Sequence, residues 1–70
     1  DGFCVDEHGN LWCGAADGVH CIADDGTLIG KVLVPQRVSN LCFGDRYNSR
    51  LFLCASTALY SLFTNTRGVR

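Results

Sequence analysis

The sequence predicts an all-β chain, and three observations carry that expectation. Short apolar stretches are separated by Gly, Asp and Asn, the spacing of meandering antiparallel strands. No stretch carries the period of an amphipathic helix. The pattern also repeats: "FCVDEHGNLWCGAADGVHCIAD" aligns with "LCFGDRYNSRLFLCASTALYSLFT".

Seven strands follow in order. The first set is "FCVD" (3–6), "LWCGA" (11–15), "GVHCIA" (18–23) and "LIGKVLV" (28–34). The second is "NLCFG" (40–44), "RLFLCA" (50–55) and "ALYSLFT" (58–64). The connections "EHGN", "AADG", "DDGT" and "RYNS" carry turn chemistry, because Asp and Asn side chains bond back to the backbone beside residues that tolerate positive φ. Pro35, the only proline, falls between the two sets.

In the repeat, Cys4 falls on Cys42 at an offset of 38, while Leu11-Trp12 falls on Leu51-Phe52 and His20 on Tyr60 at an offset of 40. The second copy has the longer first hairpin. A period of about 40 with several short strands per unit is the mark of a β-propeller blade. The expected architecture is two blades of antiparallel meanders, four strands plus three. Residues 1–36 form a penultimate blade, residues 37–64 a last blade lacking its closing strand, and residues 65–70 a tail. Two blades do not close a ring, since full propellers use about 4–8. The chain is therefore expected to be a fragment that folds beside missing blades or by self-association.

Composition narrows the function. Seventy residues make one small domain, and chains of this size bury only about 60% of the surface they expose unfolded. Six basic and seven acidic residues are scattered without a basic stripe, which argues against a nucleic-acid partner. No apolar run approaches the ~20 residues that span a bilayer, so no membrane segment is expected. Cys4, Cys13, Cys21, Cys42 and Cys54 are odd in number, lie in apolar runs and form no C-x-x-C pair. They read as small buried reduced thiols rather than as zinc ligands or a disulfide framework, which favours a cytoplasmic location.

With the strands placed, "DGFCVDEHGNLWCG", "GVHCIADDGTLIGKVLVP", "VSNLCFGD" and "LFLCASTALYSLFTNTRGVR" together resemble the C-terminal end of the gluconolactonase family, which also holds the senescence-marker lactonase and the luciferin-regenerating enzyme. The resemblance covers essentially the whole chain. The family's usual Pro-Asp-Gly appears as Asp1-Gly2 alone, and Asp45 follows Gly44 where a second glycine is common. The resemblance implies a six-bladed propeller with a divalent cation, calcium or zinc among others, in its central tunnel. It further implies that Asp1 is the last of three protein ligands and the candidate general base, with a glutamate and an asparagine partner elsewhere in the parent. The substrate it implies is a sugar lactone or related cyclic ester.

The chemistry is coherent. A hard divalent cation prefers carboxylate and carbonyl oxygens, and wants about 6–8 of them, so one carboxylate alone gives no tight site. No cation is expected to bind tightly to this chain by itself, and no turnover is expected from it. The plain reading of Asp1 is a solvated chain end. Asn40, at the start of the fifth strand, is expected either to line the tunnel and bond substrate or water, or to satisfy strand-end backbone groups.

Other candidates have simpler readings. His20 matches Tyr60 and reads as core or as packing between blades, His8 as a solvated turn residue, and Trp12 and Phe52 as core. Cys4 or Cys21 cannot readily pair with His20, because neighbours along a strand alternate faces. The serines lack a G-x-S-x-G elbow, "ADDGT" lacks the length of a calcium loop, and no phosphate-binding glycine loop is present. Two other readings compete with the lactonase: a non-catalytic propeller used as an interaction platform, and an inert truncation.

Overall fold

The structure is a computed structural model that describes residues 2–69. It contains seven strands: β1 (Phe3–Val5), β2 (Leu11–Ala15), β3 (Gly18–Ile22), β4 (Leu28–Leu33), β5 (Val38–Gly44), β6 (Arg50–Ala55) and β7 (Leu59–Phe63). They form a four-stranded sheet in the order β1-β2-β3-β4 and a three-stranded sheet in the order β5-β6-β7, with every neighbouring pair antiparallel. These are the two expected meanders.

The registers reproduce the repeat. Cys4 faces Trp12 and Trp12 faces Cys21 in the first sheet; Cys42 faces Phe52 and Phe52 faces Ser61 in the second. Cys13 faces His20 where Leu53 faces Tyr60. The hairpin "DDGT" closes by Ala23 N–H donating to Thr27 O at 2.8 Å, and Gly26 takes φ +91° there, a conformation that suits a residue without Cβ. Asp45 sits at φ +77°, in the left-handed region that favours glycine.

Two boundaries differ from the expected ones for a physical reason. The fifth strand starts at Val38, not Asn40, because a bulge between Val38 and Asn40 lets Val38 pair with Ala55 while its side chain is fully buried. The first strand stops at Val5, because Asp6 leaves the β1–β2 ladder and makes an isolated bridge to Gly68. Strands 18–23, 28–34 and 58–64 are likewise shorter at their ends.

Residues 67–69 fold back across both hairpins. Glu7 N–H donates to Arg67 O at 2.7 Å and Val69 N–H to Val5 O at 3.1 Å, on the first hairpin. Gly68 N–H donates to Asn48 O at 2.9 Å, and Asn48 Nδ2 donates to Gly68 O at 2.8 Å, on the second. The segment thus ties the turn of one sheet to the turn of the other.

The core lies between the sheets. Val19, Val38, Leu41, Leu51 and Leu53 are buried there, with Cys4, Trp12, Val32, Val34, Phe43, Tyr60 and Leu62 packed around them. Trp12 and Phe43 meet edge to face, centroids 5.8 Å apart at 87°, a favoured aromatic geometry. Gly14 admits no side chain, because a Cβ there would strike the Val38 carbonyl of the other sheet. The opposite faces are open: Phe3 is 62% exposed, Leu59 69% and Phe63 73%. Among the described residues, no helix is long and apolar enough to cross a membrane.

Candidate functional site

Asp1, the predicted ligand and base, lies outside the described residues. Its neighbour Gly2 is fixed. Gly2 N–H donates to Ser39 O at 2.8 Å, and Gly2 O accepts from Gly14 N–H at 2.8 Å. A Cβ on Gly2 would run into Asn40 Oδ1 and stand 2.9 Å from Asn40 Cα. The glycine of the Asp-Gly pair is therefore required by a close approach between chains, and it brings the start of β1 against the start of β5. Asn40 is exposed at this junction, where its Oδ1 accepts from Leu41 N–H at 2.9 Å. That bond uses the amide oxygen, and the NH2 group retains its two donors.

Every donor that Gly2, Ser39 and Asn40 offer here is an amide or hydroxyl group, with no charge among them. Among the described residues, no three His, Cys, Asp or Glu side chains converge on one point. These described residues alone do not make a divalent-cation site.

A second polar cluster was not singled out by the sequence. Asp6 is only 1% exposed, yet both carboxylate oxygens are occupied. Oδ1 accepts from His8 N–H at 2.8 Å and Asn10 N–H at 3.0 Å, and Oδ2 accepts from Trp12 Nε1–H at 2.9 Å. Burial pushes the carboxyl pKa up, but the Trp12, Asn10 and His8 donors outweigh it and hold the pKa below the ordinary value. The signal was present in "DEHGNLW": an aspartate followed two and four residues later by turn amides, and six later by an indole N–H. With both oxygens engaged by the hairpin's own donors, Asp6 closes the β1–β2 turn.

The remaining candidates separate by face. His20 is half-buried, not core, and turns to the open side of the first sheet, where Nε2 lies 2.7 Å from Asp17 Oδ1. Lys31 Nζ stands 3.5 Å from Asp17 Oδ2. His20 and then Lys31 hold the Asp17 carboxyl below its ordinary pKa. Cys4 and Cys21 lie on the other face with Trp12, away from His20. Burial pushes the Cys4 thiol up to about 11 and raises that of Cys21, the reverse of an activated nucleophile. All five cysteines are free thiols. Cys42 and Cys54, expected to be buried, are exposed, because they sit on the outer face of β5 and β6 with nothing packed over them.

Comparison with known proteins bears on this geometry. Residues 1–57 match the SMP-30/Gluconolactonase/LRE-like region family. The chain is 36% identical over 70 residues to the gluconolactonase of Zymomonas mobilis subsp. mobilis (strain ATCC 31821 / ZM4 / CP4), a match covering 97% of this chain and 19% of that protein. An X-ray structure of a protein assigned as a gluconolactonase superposes with a TM-score of 0.97 at 46% identity, covering 100% of this chain and 24% of the other. The chain thus spans about a fifth of the curated relative's length and about a quarter of the solved structure's. Its two meanders are blades of that propeller, and the chain belongs to the SMP-30/gluconolactonase/LRE-like family.

Proposed function

We propose that this chain is the C-terminal part of a metal-dependent, lactonase-like hydrolase whose whole ring opens a sugar lactone or related cyclic ester. The observation that carries the reading is the contact of Gly2 with Ser39 and Asn40, which sets the residue after Asp1 against an exposed amide at the start of the next sheet. Family membership supplies the reaction class.

In this reading Asp1 would help to hold a calcium or zinc ion, together with protein ligands from outside these residues. The cation, when bound, polarises the lactone carbonyl. Asp1 also accepts a proton from the attacking water, which a carboxylate does within hydrogen-bond reach. Asn40 offers its NH2 as a donor to the substrate ring or to that water. The five free thiols agree with a cytoplasmic parent.

The test is lactone hydrolysis by a full-length parent carrying these residues. Asp1→Asn should lower kcat about 10²–10⁴-fold, the range for loss of a general base, and should weaken metal binding measured by calorimetry. Asn40→Ala should raise KM more than it lowers kcat. Wild-type rates in both variants would refute the roles given to Asp1 and Asn40, and a parent without lactone hydrolysis would favour the interaction-platform reading.

A further inference from the structure

The corner where Gly2 meets the second sheet is built from backbone, and Ser39 stands at its centre. Val38 pairs with Ala55 and Asn40 with Cys54, so Ser39 is the extra residue of the bulge in β5. A bulged residue has no opposite number in the ladder. Ser39 is tied to the neighbouring strand by its side chain instead, Oγ donating to Cys54 O on β6 at 3.2 Å. Its carbonyl reaches the first sheet, where it accepts from Gly2 N–H at 2.8 Å.

The first sheet is pared down to receive the bulge. Gly14 N–H donates to Gly2 O at 2.8 Å, and neither glycine has room for a side chain. A Cβ on Gly14 would strike the Val38 carbonyl, and one on Gly2 would strike Asn40, the residues on either side of Ser39. Two bonded glycines thus allow a close approach of backbone to backbone that side chains would prevent. The nitrogen held by Ser39 O is the one joined to Asp1. By the repeat offset of 38, Gly2 falls on Asn40 and Asp1 on Ser39, so equivalent corners of the two blades meet here. Bulges concentrate beside active sites, where they set the aim of a neighbouring group.

We propose that Ser39 is a positioning residue for lactone hydrolysis: its hydroxyl anchors the bulge, and the bulge carbonyl anchors the Asp-Gly corner to which Asp1 belongs. The inference rests on the lactone-hydrolase reading of Asp1. In this role Ser39 touches no substrate and acts only through Gly2. A bulge without its anchor lets the Gly2 nitrogen shift. A misplacement of about 1 Å transmitted to a reacting group costs about 10²-fold in rate.

Kinetics and amide exchange on a full-length parent carrying these residues test it. Ser39→Ala should lower kcat about 10–10²-fold and change KM far less. Ser39 is exposed, so the variant should keep a Tm close to that of the wild type. Deuterium exchange at the Gly2 amide should quicken, a readout independent of turnover. Ser39→Thr keeps the hydroxyl and should restore both. Ser39→Val has the shape of the Thr variant without its hydroxyl and should behave as Ser39→Ala. In an Asp1→Asn background, Ser39→Ala should lower kcat no further, because the group it acts through is already lost. Wild-type kcat or unchanged Gly2 exchange in Ser39→Ala overturns the proposal. So does a Thr variant as slow as the Val variant, or an equal loss in both backgrounds. An inert Ser39→Ala beside a slow Asp1→Asn removes this inference alone; wild-type rates in Asp1→Asn remove the role of Asp1 and this inference with it.

Discussion

At the residue scale, the most consequential side chain for stability is Asp6. Three N–H groups converge on a carboxylate that water does not reach, so replacing it leaves donors unmatched in a buried place. Asp6→Asn turns an NH2 toward one of those donors and should cost about 1–3 kcal/mol in denaturant unfolding. The pH dependence has a definite sign. The folded carboxyl titrates below its unfolded value of about 3.8, so its stabilisation is full above that pH and is lost as pH falls through the folded value. The Asn variant should lack this component: the wild-type chain loses more stability than the variant on acidification below about pH 4. Equal acid sensitivity of the two proteins would refute the role given to Asp6. The sequence showed the aspartate, the turn and the tryptophan, but not that all three point into one place. Convergence is a property of the hairpin's register, and periodicity does not carry it.

At the scale of the elements, strand existence and order were legible, because each strand is a short apolar run bounded by residues with turn chemistry. Strand ends were less so. Val38 sits before a bulge and is held by burial against Gly14, a tertiary effect without a local signature. Residues 65–70 read as a tail, yet the described part of that segment is hydrogen-bonded to both hairpins. Within that segment Gly68 is closely packed: an added Cβ would stand 2.6 Å from Phe43 Cβ and 2.9 Å from its ring carbons. Gly68→Ala should therefore cost about 1–3 kcal/mol, the range for overpacking a filled site. Thermal unfolding checks it, and a Tm unchanged within error would show that the segment is not tied down as described.

At the scale of the whole molecule, the candidate site was legible only as far as the chain carries it. Asn40 beside the Asp-Gly pair was readable, since both open a strand at equivalent places in the repeat, and the structure brings Gly2 and Asn40 into contact. Asp1 lies outside the described residues, and its role rests on family resemblance. The exposure of the thiols was not readable from composition, because an apolar run does not say which face of β5 and β6 packs against the other sheet, and Cys42 and Cys54 fall on the face that does not. The chain alone should show no metal-dependent lactone hydrolysis, since a hard cation held by one carboxylate lacks most of its ligands. Hydrolysis assayed with calcium or zinc in excess checks this; turnover that Asp1→Ala abolishes would contradict it.

The bond from Glu7 N–H to Arg67 O joins residues sixty positions apart, and Val69 N–H to Val5 O runs beside it. Both amides lose their acceptors when segment 67–69 leaves the first hairpin, so their protection reports a single opening of that segment rather than two independent frayings. Matched exchange rates at Glu7 and Val69, slowed or hastened together by any change in residues 67–69, would make this pair of amides a gauge of how often that segment lifts away.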